Sequence, residues 1–197
     1  MAGWIGGNRF LNLNDQVHNA QIVVDYLVPL GWHAGAIIGT VVNMSNESTV
    51  NPQIWEGLTV DTSGGYGLVQ WTPATKLINW CNERGLDYTD GDSQLQRINY
   101  EAQNGLQWGA NGYLPDPAMP DLPSNPPVTF AQYTQLDDAV LATRYWLAYY
   151  ERPAYAHLLS RYTSAPYDVA EWRRYLNIPE LDERKMPVWM YLRRRWF

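Results

Sequence analysis

Glu47 is the residue whose position in the sequence best suits catalysis. It ends a strongly apolar stretch, and a glycine-rich turn and an aromatic, polar segment follow it as far as Pro73. A carboxyl group at the end of an apolar helical stripe is partly removed from water, which disfavours its charged form. Because such a group can deliver a proton to the leaving oxygen of a glycosidic bond, Asn43–Pro73 predicts an active site with Glu47 as general acid. Position alone would equally suit an exposed carboxylate at a helix end.

A second catalytic carboxylate is less well defined. Asp61 follows Glu47 in a predicted hairpin across the expected cleft, where it could hold a water molecule or stabilise positive charge on the sugar. Asp61 also lies beside a turn, where aspartate is common for turn formation alone. Glu56 is a further candidate, whereas Glu151 is expected to pair with Arg152 or to cap local structure.

Apolar periodicity and capping residues predict the helices that position Glu47. Six are expected, at about residues 14–31, 33–47, 72–85, 93–106, 136–151 and 166–176. The second is the most apolar and is predicted to be the buried central helix. Its Gly35 and Gly39, four residues apart, would allow a neighbouring helix to approach closely. The fourth is predicted to begin with a capping box formed by Ser93 and Gln96.

Two short segments rich in β-forming residues predict a small hairpin. They are Trp55–Asp61 and Tyr66–Trp71, on either side of the turn Thr62–Gly65. The predicted fold class is therefore mainly α, of the α+β kind: a helical domain with a small β-hairpin beside the catalytic cleft.

Length and composition predict one domain over residues 1–197. Hydrophobic residues make up 46% of the chain and charged residues 17%, which is typical of a protein with its own core. Leu114–Val128 holds six of the thirteen prolines and is predicted to be a surface loop, because proline disrupts helices and central strands. Residues 178–197 form an aromatic, arginine-rich C-terminal extension without clear periodicity.

Composition also limits the partners. A net charge of −6 argues against nucleic acid, which is held by a basic face. Ten Trp and fourteen Tyr exceed what a core of this size needs, and they favour wet aromatic surfaces such as a sugar groove or a protein interface. Half of the fourteen Lys and Arg residues lie in Arg173–Arg195. That run is interpreted as a solvated face, with a site for an anionic partner as the alternative.

Several other features are not predicted. Cys81 is the single cysteine, so an internal disulfide is excluded, and no Cys and His cluster suggests zinc or another cofactor. The N-terminal residues lack the basic and apolar regions of a signal peptide, and no apolar run is long enough for a membrane span. Export by a signal peptide and membrane insertion are therefore not expected.

The spacing of the central motifs resembles a known superfamily. Glu47-Ser48 precedes the block Gly65–Pro73, and this pattern, E-S followed by G-x-G-L-V-Q-W-T-P, is similar to goose-type lysozymes and soluble lytic transglycosylases. The closer resemblance is to the phage tail lysozyme family, found at the tail tips of phages that infect Gram-positive bacteria. It covers residues 8–177 and leaves Leu114–Val128 partly outside. Its other matching blocks are Asn19–Gln21, Tyr26-Leu27, Gly31-Trp32, Asn43-Met44, Asn51-Pro52, Trp55, Ile78–Trp80 and Tyr150–Pro153.

The resemblance implies a lysozyme-like domain with Glu47 as the catalytic acid. It also implies that Tyr66, Gln70 and Trp71 line the groove for the glycan, and that Ser48 orients the surroundings of Glu47. From the residues alone, Trp71 would suit a core position and Gln70 a cross-link within the hairpin.

The resemblance further implies a peptidoglycan-degrading glycosidase of a phage particle. It would cleave the β-1,4 bond between N-acetylmuramic acid and N-acetylglucosamine for local wall penetration, with glycan strands and other tail or virion proteins as partners. Hydrolysis needs a held water, whereas lytic transglycosylation uses the muramic O6 and needs no second carboxylate; both stay open. The alternative is a structural or glycan-binding virion component with little or no activity. A host lytic transglycosylase is disfavoured because no export signal is present.

Overall fold

The computed structural model describes residues 3–179, so the C-terminal extension predicted for 178–197 lies almost wholly outside the described residues. Helices dominate the described chain, which confirms a mainly α fold. They are α1 (Leu13–Leu27), α2 (Ala34–Ser48), α3 (Thr75–Asn82), α4 (Gly91–Asn104), α5 (Phe130–Tyr133), α6 (Ala139–Tyr145) and α7 (Tyr155–Tyr175). Short 3-10 turns occur at Val28–Leu30 and Glu56–Leu58, and a π-helical segment, Trp146–Glu151, continues α6. Within residues 3–179, no helix has the length and apolar character needed to cross a bilayer.

The buried central helix is α2, as its apolar sequence predicted. Every residue from Gly35 to Met44 is buried, and α1, α6 and α7 pack against the helix. A Cβ atom on Gly35 would lie 2.3 Å from the backbone carbon of Asp137, and one on Gly39 would lie 2.7 Å from the backbone nitrogen of Thr143. These distances are shorter than any normal contact, so the two glycines allow the chain around α6 to lie directly on α2.

Replacing Gly39 with alanine is expected to lower the free energy of unfolding by about 1–3 kcal/mol, the usual cost of overpacking a core. The higher helix propensity of alanine offsets at most about 1 kcal/mol of this cost. Urea unfolding followed by circular dichroism measures the change. Gly112→Ala is the control, because an added Cβ there meets no atom within 4 Å. Equal stability of the two variants would contradict a tight crossing at Gly39.

The predicted β-hairpin does not form in the described residues. Trp55–Asp61 and Tyr66–Trp71 are joined only by isolated bridges, between Trp55 and Tyr66 and between Tyr66 and Trp71. Gly57 and Leu58 adopt positive φ values of 59° and 58° inside a 3-10 turn. A strand needs extended backbone at successive residues, so this turn ends the first strand before it can pair.

The start of α4 also differs from the prediction. Its N-cap is Asp90, whose carboxylate accepts a hydrogen bond from the Ser93 backbone N–H at 3.2 Å. The capping box assigned to Ser93 and Gln96 is therefore wrong. A carboxylate at the N-cap both satisfies a free N–H and complements the helix dipole, which favours the earlier start.

The last helix is longer than its sequence suggested, because α7 begins at Tyr155 and contains Pro166 rather than starting there. Proline has no N–H to donate to the carbonyl four residues earlier, which is that of Tyr162. In the structure Arg144 Nε, on α6, donates to this carbonyl at 3.3 Å. The contact between helices thus replaces the hydrogen bond that Pro166 removes.

The proline-rich segment Leu114–Val128 forms turns, with neither helix nor strand. It packs on the helices: Met119 and Leu122 are buried, and Asp121 pairs with Arg144 at 2.8 Å. The segment is therefore fastened to α6 by both apolar and charged contacts.

Candidate active site

A groove of about 570 Å³ runs between the end of α2 and the segment that joins α6 to α7. Carboxylates, aromatic rings and amides line it together, which is a mixture suited to a sugar chain. The lining residues are Phe10, Glu47, Ile54, Trp55, Glu56, Gly57, Val69, Gln70, Trp71, Thr72, Lys76, Gln107, Tyr150, Glu151, Arg152 and Pro153.

Glu47 is the next-to-last residue of α2, so its side chain reaches the groove where the buried helix ends. The helix stops at Thr49, which has a left-handed backbone with φ 55°. Ser48 Oγ donates to the carbonyl of Met44 at 2.9 Å and to that of Leu68 at 2.8 Å. Ser48 is buried and ties the helix end to the glycine-rich segment, which orients the backbone that carries Glu47.

Arg161, on α7, joins Glu47 to a second carboxyl group. Its Nη1 donates to Glu47 Oε1 in a close ion pair, and its Nη2 lies 2.9 Å from Glu151 Oε2. Nη2 also donates to Oδ1 of Asn43, one helical turn before Glu47, at 2.8 Å. Because arginine keeps its charge at any working pH, one permanent cation pairs with two carboxyl groups.

Glu151 reaches this cluster because the π-helical segment ends at it. π-Helical turns are rare and occur frequently at functional sites. The Glu151 side chain is only 6% exposed, against 25% for Glu47. Burial and the nearby Glu47 carboxyl raise the pKa of Glu151 well above its usual range, although Arg161 opposes the rise. Glu151 is therefore a carboxyl group that favours its neutral form.

The other residues assigned to the groove divide into two groups. Gln70 and Trp71 line it, but both are also held by the protein: Gln70 Nε2 donates to the Gly67 carbonyl at 3.0 Å, and Trp71 Nε1 donates to Glu101 at 3.2 Å. Tyr66 is buried and is not among the lining residues. Its ring packs 4.5 Å from that of Trp55, which does line the groove. Contact of all three predicted residues with glycan stays a prediction.

Asp61 is not among the residues that line the groove. It is exposed in a turn, and hydrogen bonds from the Ser63 backbone N–H at 2.9 Å and from the Ser63 hydroxyl lower the pKa of Asp61. This is the turn geometry that the sequence allowed as an alternative. Glu56 does line the groove, where its Oε2 accepts from the Gly65 N–H at 2.8 Å.

A larger concavity, of about 790 Å³, lies elsewhere on the protein. Its walls include Trp4, His18 and the four carboxylates Asp25, Asp87, Asp90 and Asp92. None of the residues predicted to act in catalysis lines it. We assign the site to the smaller groove, because two carboxyl groups that share one cation, one of them buried, indicate chemistry more strongly than volume does.

The sequence is similar to those of known proteins. A family model described as phage tail lysozyme matches residues 18–170. The chain belongs to the phage tail lysozyme family. "Morphogenesis protein 1" of Bacillus phage B103 is 40% identical over 162 residues, which is 81% of this chain but 40% of that relative. The chain therefore spans less than half the length of this relative.

Reasoning from the sequence missed two residues of the candidate site. Glu151 was expected to pair with Arg152 or to cap local structure. Its charged partner is instead Arg161, and Arg152 Nη1 donates to the carbonyls of Gln107 and Tyr149. The Y-E-R-P block that contains Glu151 was a usable signal for the site. Arg161 had no signal of its own, since it lies 114 positions from Glu47 on a helix whose start was misplaced.

Proposed function

We propose that the protein is a peptidoglycan-degrading glycosidase that cleaves the β-1,4 bond between N-acetylmuramic acid and N-acetylglucosamine. The observation that carries this proposal is the position of Glu47, at the end of a buried helix, on a groove and in contact with Arg161. Glu47 protonates the leaving oxygen while positive charge develops on the sugar. Trp55 offers an aromatic face for the glycan, and Gln70 and Trp71 contact it along the same wall.

The arrangement favours one acid at the scissile bond. Catalytic carboxyls of glycosidases are about 5–5.5 Å apart in retaining enzymes and about 6.5–9.5 Å apart in inverting enzymes, on opposite sides of the bond. Glu47 and Glu151 instead contact the same guanidinium, that of Arg161. Glu151 does not meet the geometry of a nucleophile or of a base across the bond. If water accepts the sugar, we propose Asp61 as the second carboxylate, which would hold that water.

The experiment that tests the proposal is mass spectrometry of products released from purified peptidoglycan. We expect muropeptides cut at the muramic acid linkage. Reducing N-acetylmuramic ends identify hydrolysis, and anhydro ends identify transglycosylation by the muramic O6. Heat-denatured protein is the control. The absence of any soluble product from wall that the folded protein binds would overturn the enzyme assignment.

We further propose that the protein acts on the virion, as part of a phage tail, to open the wall locally for genome delivery. Family membership and the name of the B103 relative support a role in the particle. In this setting its partners are glycan strands and neighbouring tail proteins.

The alternative function is a structural or glycan-binding virion component with little or no activity. The name "Morphogenesis protein 1" of the 40% identical relative is the observation that favours it. A turbidity assay on purified wall, run beside a sedimentation assay for glycan binding, separates the two. Clearing supports the enzyme, and tight binding without clearing supports the structural component.

A further inference from the structure

The cluster of Glu47, Arg161 and Glu151 contains two carboxyl groups and one permanent cation, all largely shielded from solvent. The side chains are 25%, 17% and 6% exposed, respectively. With both carboxyls ionised, the cluster would carry one uncompensated negative charge. Burying such a charge is costly, and a group that can take up a proton does so instead.

Hydrogen bonding indicates which carboxyl holds the proton. Glu47 Oε1 accepts directly from Arg161. Glu151 Oε2 lies 2.9 Å from Arg161 Nη2, yet neither Glu151 oxygen accepts a hydrogen bond of regular geometry from the described residues. A buried carboxylate normally accepts several such bonds, and a neutral carboxyl needs fewer. Since the two carboxyls lie on Nη1 and Nη2 of the same guanidinium, a proton on Glu151 is held close to Glu47.

We propose that Glu151 holds the proton that Glu47 delivers to the glycosidic oxygen, an inference that rests on the proposed glycosidase function. As substrate binds, the O–H bond of Glu151 breaks and an O–H bond forms on Glu47. Glu151 is then the carboxylate, and Arg161 compensates its charge. Glu47 gives the proton to the leaving oxygen as the glycosidic C–O bond breaks. The proton released by the acceptor, water or the muramic O6, returns to the pair.

Glu151 is a positioning residue in this scheme, because it acts through Glu47. A carboxyl held by an arginine alone would be ionised at neutral pH and unable to protonate the substrate, so a second group that keeps the proton is needed. Two carboxyls on one guanidinium keep one proton between them, and they titrate as a pair rather than as single groups.

The test is the pH dependence of peptidoglycan cleavage by the full chain with Glu151→Gln. With glutamine there, the carboxyl that holds the proton is gone, while Arg161 still compensates the charge of Glu47. We expect activity at pH 7 to fall by about tenfold or more, and the alkaline limb of the kcat profile to move down by about one pH unit. Activity near the acid end should approach that of the unsubstituted protein. A uniform loss at every pH, or an unchanged profile, would overturn the inference.

Asp121→Asn is the matched control, because Asp121 is also a carboxyl paired with an arginine, Arg144 at 2.8 Å, and it does not line the groove. It is expected to lower thermal stability without moving the alkaline limb. Should Glu151→Gln fail to fold, carbon-13 NMR of labelled glutamate carboxyls in the unsubstituted protein decides instead. A neutral Glu151 at pH 7 supports the inference, and an ionised one overturns it.

Two variants distinguish failure of the glycosidase function from failure of the role given to Glu151. If Glu47→Gln retains full activity, the proposed acid is wrong and the proton relay has no recipient. If Glu47→Gln is inactive while Glu151→Gln keeps the unsubstituted pH profile, the glycosidase assignment stands and only the role of Glu151 is lost.

Discussion

Replacing Glu47 with glutamine is expected to abolish clearing of purified cell wall, a rate loss of about 10²- to 10⁴-fold or more. The amide has nearly the same shape as the carboxyl but cannot give a proton to the leaving oxygen. Its carbonyl can still accept from Arg161, which also keeps its contact with Glu151. We therefore expect a native circular dichroism spectrum together with lost turbidity clearing at matched protein concentration.

Glu83→Gln is the control for this experiment. Glu83 is also paired with an arginine, Arg84, but its side chain is 71% exposed and lies outside the groove. Full clearing is expected with this variant. If Glu47→Gln clears wall as fast as Glu83→Gln, Glu47 is not the acid, and Glu56 becomes the next carboxylate of the groove to test.

Replacing Arg161 with alanine is expected to reduce both stability and activity. Removing one partner of a buried ion pair typically costs about 3–5 kcal/mol, because the remaining charge has no compensation. Here two carboxyls, Glu47 and Glu151, and the amide oxygen of Asn43 would lose the same guanidinium. Clearing should fall with stability, since Glu47 would no longer be held toward the groove. Urea unfolding and turbidity clearing measure the two effects.

The stability deficit of Arg161→Ala is expected to grow as the pH rises. The pKa of Glu151 is raised in the folded protein, so between the unfolded value of about 4.3 and the folded value the folded state binds more protons. Stability contributed by this group is therefore present at low pH and lost as pH increases. Without Arg161 the pKa of Glu151 rises further, which extends the loss to higher pH. Near pH 4 the variant and the unsubstituted protein should differ least.

Arg9→Ala provides the comparison. The Arg9 and Asp15 charges are 3.5 Å apart, and the Arg9 side chain is 52% exposed, so its loss should cost no more than about 1 kcal/mol. An Arg161→Ala variant with a similar small and pH-independent cost would contradict the buried network described above.

The sequence determined the central helix and the residue at its end. Apolar residues at helical spacing surround Gly35 and Gly39 and continue up to Glu47. This pattern predicts a helix correctly because burying the apolar side chains stabilises it. The E-S and G-L-V-Q blocks also pointed to the family. The hairpin was less predictable. Its β-forming residues favour strands only weakly, and the left-handed backbone at Gly57 interrupts the first strand.

Only the tertiary structure decided which groups surround Glu47. Arg161 and Glu151 lie far from it in the chain. Arg161 lies within the proline-containing helix α7, whose start the local pattern placed too late, and Glu151 is the last residue of the π-helical segment. Their approach depends on how α7 and the end of α6 pack against α2, where Gly39 permits close contact. A sequence records the charge of each side chain, but the distance and dielectric between charges, which set their protonation, exist only in the folded protein.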